Sequence, residues 1–235
     1  MAAQLWFDFS PTNGSIGHVQ FCDGRSNASA RSALNRWRSW PSGVLILVGP
    51  SGSGKSHLVG LWSKTVQGQI ISASCIPQRL QGNIVVENTD HELDEEGLFH
   101  LLNRAASGQA KVLLVARCGP QGWDVQLGDL GSRLRAAEMV RIDEPDDDVL
   151  SCILQKLCKD RMIKLNDKLI QYLIPRMERS SQGALQLVDA LNSRSLETSR
   201  PVNTALARLV LAELAKKPEL LCLMEDEAAS RVASV

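Results

Sequence analysis

Eight consecutive residues, Gly49 to Ser56, have the types and the spacing of a loop that binds phosphate groups. The stretch reads GPSGSGKS and matches the pattern GxxxxGK[ST] without a gap. It follows the apolar run VLILV and opens a helical pattern, so backbone N–H groups at a helix N-terminus can surround a phosphate. Lys55 would reach the terminal phosphates, and Ser56 would ligate Mg²⁺. The sequence therefore predicts binding of ATP or ADP, with these contacts: Pro50, Gly52, Ser53, Gly54, Lys55, Ser56 and His57.

A carboxylate that could assist hydrolysis follows a second apolar run, in the stretch NIVVENTD. Hydrolysis needs an acidic group at a strand end to hold the metal and a second group to polarise water. We assign Glu87 to the metal, together with Ser56, and to catalysis. Asn88 cannot act as a base, and Asp90 has the spacing of a turn residue. The alternative, in which Glu87 is only a strand-end carboxylate, stays open, and slow intrinsic hydrolysis is expected.

The elements that must position these residues are short apolar runs separated by helical patterns. The runs lie at 44–48, 69–72, 84–87, 112–116 and 139–142. This alternation predicts an α/β fold, an open and mostly parallel sheet with helices on both faces. After Pro145 the pattern becomes wholly helical, and the acidic stretch DEPDDD before it has the chemistry of a helix start. We predict an α/β base domain over 13–144, a small C-terminal helical lid over 145–216, and an acidic, flexible tail over 217–235.

Composition excludes several classes of function. Lysine plus arginine and aspartate plus glutamate number 26 each, so a large nucleic-acid surface is not expected and DNA contact would be indirect or weak. No apolar run approaches the ~20 residues that span a bilayer, so no membrane partner is expected. The six cysteines contain no CxxC pair of the kind found in zinc sites, and no signal peptide is evident. These features predict a cytoplasmic protein.

Taken in order, the motifs resemble the AAA+ core of the DnaA-related family, and most closely its short Hda branch. The similarity runs from about Val19 to Leu214. In this resemblance, FCDGRSNASARSALNRW runs along the base of the nucleotide, which implies contacts from Phe21 and Asn27. The stretch LGDLGSRLRAAEMVRI places the family's arginine finger, which acts in trans, at Arg133. MERSSQGALQLVDAL resembles the family's sensor 2 helix, which assigns Arg179 to the nucleotide. In the same resemblance, Cys118 takes the polar position at the end of the sensor 1 strand.

The resemblance also implies a function for the chain as a whole. A member of this branch binds ADP or ATP with Mg²⁺ and stimulates hydrolysis of the ATP held by DnaA, which makes it a negative regulator of replication initiation. About twenty residues follow Leu214, and they are too few for the DNA-binding domain that follows the lid in DnaA. Origin recognition by this chain is therefore not expected. Two alternative functions stay open: a self-contained P-loop ATPase, such as a DnaA-like or helicase-loader-like motor, and a nucleotide-dependent adaptor. A homodimer also stays open.

The first residues of the chain, within 1–12, form a candidate binding peptide. The stretch Gln4-Leu5-Trp6-Phe7-Asp8-Phe9 contains three of the ten aromatic residues of the whole chain. It resembles the bacterial sliding-clamp-binding peptide, in which a glutamine anchors an extended segment and alternating apolar residues fill a cleft. The resemblance implies that Gln4, Leu5, Phe7 and Phe9 contact the clamp, the beta subunit of DNA polymerase III. Docking of the segment onto its own domain is the alternative.

Overall fold

The predicted apolar runs form one parallel sheet in the computed structural model, which describes residues 22–215. The strands are β1 (Val44–Val48), β2 (Gln69–Ser72), β3 (Gly82–Glu87), β4 (Ala110–Ala116) and β5 (Glu138–Arg141). Their order across the sheet is β2-β3-β4-β1-β5, and every neighbouring pair is parallel. The central strand β1 is buried along its length, whereas Ile70 of β2 is 48% exposed because β2 lies at the edge of the sheet.

Helices cover both faces of this sheet, as predicted. They are α1 (Arg25–Asn35), α2 (Lys55–Val66), α3 (Glu95–Ala106) and α4 (Gly128–Ala136). Successive side chains of a strand point to opposite faces, so Ile46 packs in one apolar layer with Leu98 of α3 and Leu130 of α4. Leu45 packs in the other layer, with Val59 of α2. The two layers bury the strands that carry the phosphate loop and Glu87.

The chain divides into two compact units between Val149 and Leu150. The described part of the second unit is helical and contains most of α5 (Asp147–Asp160), then α6 (Asp167–Leu173), α7 (Ser181–Thr198) and a helix α8 over 204–215. Leu154, Leu173 and Leu187 belong to one apolar core of this unit. Side chains cap two of these helices: Asn166 accepts a hydrogen bond from Leu169 N at 2.8 Å, and Ser180 accepts one from Gly183 N at 2.8 Å. Within residues 22–215, no helix is long and apolar enough to cross a membrane.

Because the strands are parallel, the carboxyl ends of β1, β3 and β4 lie along the same side of the sheet. Val48, the last residue of β1, pairs with Ala116 of β4 on one side and with Arg141 of β5 on the other. Glu87 of β3 pairs with Val115 of β4. The loops that follow β1, β3 and β4 therefore start side by side, and open α/β sheets bind their ligands on this side.

Candidate nucleotide site

The phosphate loop connects β1 to α2 and has the backbone conformation that its glycines permit. Gly54, with φ at +95°, forms the N-cap of α2, a conformation that side-chain-bearing residues rarely adopt. Gly49 is required by close packing, since a Cβ atom there would lie 2.4 Å from Ile142 O. The first helical residue is Lys55, so the N-terminus of α2 opens directly onto the loop. Such a terminus favours an anion.

Lys55 folds back over this loop. Its Nζ donates hydrogen bonds to Gly49 O at 2.6 Å and to Pro50 O at 2.8 Å. Burial lowers the pKa of Lys55, the negative charge of Asp90 opposes that change, and the positive charge of Arg117 adds to it. The charges of Asp90 and Arg117 therefore both act on Lys55 beside the loop, where the negative charge of a phosphate would be attracted to Lys55.

Ser53 supplies a second indication that the loop fits a phosphate. Its hydroxyl is buried, and within the described part of the chain no hydrogen-bond partner is recorded for it. A buried hydroxyl without a partner carries a cost of about 1–3 kcal/mol, which a phosphate oxygen or an ordered water would remove. Ser56, in the first turn of α2, is exposed, and His57 is the third residue of that helix. The predicted loop residues thus lie together, on a cradle whose polar groups suit a nucleotide.

Glu87 is the last residue of β3, as the sequence predicted. Its carbonyl accepts a hydrogen bond from Ala73 N at 3.1 Å, and its side chain is half-buried. The hydroxyl of Ser56 and the carboxylate of Glu87 are oxygen donors of the kind that Mg²⁺ takes together with phosphates and waters. The donor chemistry therefore fits the predicted ion, and the assignment of these two residues stays a prediction.

Asp90 and Arg117 were not predicted as site residues. Asp90 lies in a turn, as expected, but its Oδ2 also accepts a hydrogen bond from Arg117 N at 2.9 Å. Arg117 directly follows Ala116, the β4 residue that pairs with Val48 before the phosphate loop. The pairing of parallel strands brings these two loops together. A local sequence pattern does not predict which strands pair, so it does not predict this contact. The Cys118 thiol, assigned to a polar sensor position, is exposed, and the carbonyl of that residue accepts a hydrogen bond from Trp123 Nε1 at 3.0 Å.

Asn27, predicted to contact the base, is buried in the first turns of α1. Its Oδ1 accepts a hydrogen bond from Gly24 N at 3.3 Å, and its Nδ2 donates one to Cys22 O at 2.9 Å. The side chain therefore shapes the segment that leads into α1, and its contact with a base stays a prediction. Phe21 lies outside the described residues, as do the clamp-peptide residues Gln4, Leu5, Phe7 and Phe9.

The two arginines assigned from the family resemblance lie in different units. Arg133 is exposed on α4, and its guanidinium lies 5.3 Å from the centroid of the Phe99 ring. Among residues 22–215, no ion pair is recorded for Arg133. Arg179 is exposed in the second unit and directly precedes Ser180, the N-cap of α7. The nucleotide contact assigned to Arg179 stays a prediction.

The chain is similar in sequence to a protein of undescribed activity and similar in fold to several solved structures. No protein-family model matches the chain. An uncharacterized protein of Haemophilus influenzae is 28% identical over 182 residues, which cover 69% of this chain and 79% of the relative. Domain III of the replication initiation protein DnaA from Thermotoga maritima matches with a TM-score of 0.67 and 17% identity, over 82% of this chain and 94% of that one.

Two further solved structures are similar. AMPPCP-bound DnaA from Aquifex aeolicus gives a TM-score of 0.61 and 18% identity over 75% of this chain, which spans 65% of that protein's chain. The Holliday junction branch migration motor RuvB from Thermotoga maritima gives 0.62 and 16% identity, over 81% of this chain and 67% of that one. At these identities the likeness shows the fold. The chain has the α/β fold of the AAA+ domains of DnaA and RuvB, and its assignment to the Hda branch stays a prediction.

Proposed function

We propose that this chain is a nucleotide-bound regulator that stimulates hydrolysis of the ATP held by DnaA. In this proposal the chain binds ADP or ATP with Mg²⁺ and is tethered by Gln4, Leu5, Phe7 and Phe9 to the DNA-loaded sliding clamp. The result is DnaA in its ADP form and negative regulation of replication initiation. The fold supports the proposal, because the chain resembles domain III of DnaA along most of its length.

The observation that carries the proposal is the state of Arg133. An arginine finger must reach a phosphate in another protein, so it has to be exposed and must not be neutralised by its own chain. Arg133 is exposed, and no ion pair is recorded for it within the described residues. Such a cation stabilises the negative charge that develops during phosphoryl transfer, and it can contribute about 10³–10⁵ in rate.

The residues around the phosphate loop have a different role in this proposal, because they hold the chain's own nucleotide. Lys55 and the N-terminus of α2 supply positive charge, and the Ser53 hydroxyl supplies a buried polar contact. Ser56 and Glu87 would hold Mg²⁺. When bound, the metal neutralises phosphate charge. The bound nucleotide and its ion thereby stabilise the unit that presents Arg133, since ligand binding to the folded state stabilises that state.

Phosphate release from DnaA·ATP tests the proposal. The reaction contains the full chain, ADP, and clamp loaded on DNA, and parallel reactions use Gln4→Ala, Arg133→Ala and Arg135→Ala. Arg135 is the matched control, because it is an exposed arginine on the same helix that donates a hydrogen bond to Ser132 Oγ at 3.3 Å. We expect stimulation by the wild type and Arg135→Ala, and its loss with Gln4→Ala and Arg133→Ala. Absence of stimulation, or indifference to Arg133→Ala, contradicts the proposal.

A self-contained P-loop ATPase is the second candidate, and Asp90 favours it. This carboxylate acts electrostatically on Lys55, so an acidic group does lie beside the phosphate loop although Asn88 cannot act as a base. The two functions differ in what the isolated chain does with ATP. Multiple turnover by the chain alone, abolished by Asp90→Asn and unchanged by Arg133→Ala, favours the ATPase. No turnover alone, with stimulation of DnaA, favours the regulator.

A further inference from the structure

A carboxylate of α3 fixes the start of the helix that carries Arg133. Glu95 Oε1 accepts a hydrogen bond from Gln126 N at 2.9 Å, and its Oε2 accepts one from Leu127 N at 2.8 Å. Leu127 is the N-cap of α4 and has no side-chain acceptor of its own. Glu95 therefore holds the segment that enters α4 from the neighbouring helix, because it accepts from the N-cap N–H as the glutamate of a capping box does. Its negative charge also lies at the positive end of the α4 dipole.

An aromatic ring on the same face of α3 holds the side chain of Arg133. Phe99 follows Glu95 by four residues, so the two side chains lie one helical turn apart. The Phe99 ring packs against the apolar layer of α3 and α4, which fixes its position. The Arg133 guanidinium lies 5.3 Å from the ring centroid, within the range of a cation–π interaction. Within residues 22–215, this guanidinium forms no side-chain hydrogen bond and no ion pair.

We infer that Glu95 and Phe99, together the α3 platform, are positioning residues that hold Arg133 ready for a phosphate of another protein. This inference rests on the proposed function, in which Arg133 acts in trans. A ring attracts the cation without accepting its N–H groups in conventional hydrogen bonds, so all five donors of the guanidinium stay available to phosphate oxygens. A carboxylate partner would occupy those donors and would have to be displaced. The α3 platform therefore restricts the arginine without neutralising it.

The test separates the ring from the bulk of its side chain. Phe99→Leu keeps an apolar group but removes the ring, whereas Phe99→Tyr keeps the ring. Glu95→Ala removes the carboxylate that holds the start of α4, and Glu96→Ala is its matched control. Glu96 is 82% exposed and adjacent to Glu95. The maximal rate of DnaA-bound ATP hydrolysis and the concentration for half-maximal stimulation are measured with each full-length variant. An exposed cation–π contact corresponds to about a two- to fivefold change.

We expect Phe99→Leu and Glu95→Ala to lower the maximal rate about two- to fivefold and to leave the half-maximal concentration unchanged. Phe99→Tyr and Glu96→Ala should retain the wild-type rate. A full rate with Phe99→Leu, or equal losses with Leu and Tyr, overturns the inference, because packing alone would then explain the effect. Loss of stimulation in Arg133→Ala together with a full rate in Phe99→Leu overturns the α3 platform alone. A full rate in Arg133→Ala overturns the proposed function itself.

A spectroscopic measurement supports or overturns the platform without the partner protein. In the isolated chain, the Arg133 side-chain N–H resonance should be shifted by the ring current of Phe99 in the wild type and in Phe99→Tyr. The shift should vanish in Phe99→Leu. A resonance that is the same in all three proteins overturns the contact between the ring and the guanidinium.

Discussion

Replacing Asp146 with alanine should destabilise the first unit, because this one carboxylate caps two helices. Asp146 Oδ2 accepts a hydrogen bond from Ser26 N at 3.0 Å, near the start of α1, whose N-cap is a glycine. Asp146 Oδ1 accepts one from Val149 N at 2.9 Å, in the first turn of α5. Burial tends to raise the pKa of Asp146, but hydrogen bonds from Ser26, Val149 and Arg25 outweigh burial and hold the pKa below its usual value.

The expected magnitude follows from the two caps. Loss of a cap costs about 1 kcal/mol, so Asp146→Ala should lower the free energy of unfolding by about 2 kcal/mol at pH 7. In a chain of this size, that corresponds to a decrease of about 4–8 °C in Tm. Because the folded-state pKa of Asp146 is below its unfolded value, the stabilisation is fully present above the unfolded pKa. It is lost as the pH falls through the folded pKa, so the difference from wild type should shrink below about pH 4.

Thermal unfolding followed by circular dichroism at pH 7 and pH 3 measures this effect. Asp148→Ala is the matched control, because Asp148 is an exposed carboxylate in the first turn of the same helix. It should lower Tm by no more than about 2 °C, since it loses only a screened interaction with the helix dipole. A Tm for Asp146→Ala within 1 °C of wild type, or a decrease equal to that of Asp148→Ala, would refute the two-cap argument.

Three further predictions concern the phosphate loop and the thiols. Lys55→Ala should weaken binding of a fluorescent ADP analogue about 10- to 100-fold through loss of charge-assisted hydrogen bonds, and a change below threefold contradicts the site. Arg117→Ala removes a positive charge that acts at Lys55, so it should weaken binding of ATP, which carries one more negative charge than ADP, by about fivefold and binding of ADP less. Competition titrations would show this difference, and Lys111→Ala, near the other end of β4, should alter neither affinity. Burial raises the pKa of the Cys158 thiol to about 11, so iodoacetamide at pH 8 should modify the exposed Cys118 and spare Cys158 until the chain unfolds, which peptide mass spectrometry detects.

Local patterns of the sequence were sufficient to predict the five strands of the sheet. Strands β1 and β4 are apolar runs buried on both faces, and a run of this kind followed by the phosphate-loop pattern has few alternatives. The edge strand β2 was found by the same pattern, but its exposure was not, because a run of residues does not reveal its place in the sheet. Burial of a strand depends on its neighbours, and those are set by tertiary packing.

The contacts that hold the loops and helix starts around the sheet join residues far apart along the chain. Asp90 meets Arg117 across 27 positions, and Ser26 meets Asp146 across 120. Each is a hydrogen bond from a backbone N–H to a carboxylate, and such a bond leaves no periodicity in the sequence. Asp90 could be identified as a turn residue, but its second role depends on the register that aligns β3 with β4. Sequence reasoning therefore identified the loop and missed the charges around it.

The two cations central to the proposed function are held in opposite ways, and this difference fits their proposed roles. Lys55 donates to two carbonyls of its own loop, so two of its three donors are occupied until an anion displaces those contacts. Arg133 lies over an aromatic ring that leaves its donors available. A cation that retains the chain's own nucleotide can donate hydrogen bonds to its own loop before the nucleotide binds, because the ligand enters the same loop. A cation that must act on the ATP of another protein gains from being oriented and unneutralised, because the cost of ordering the side chain is then met before the two proteins associate.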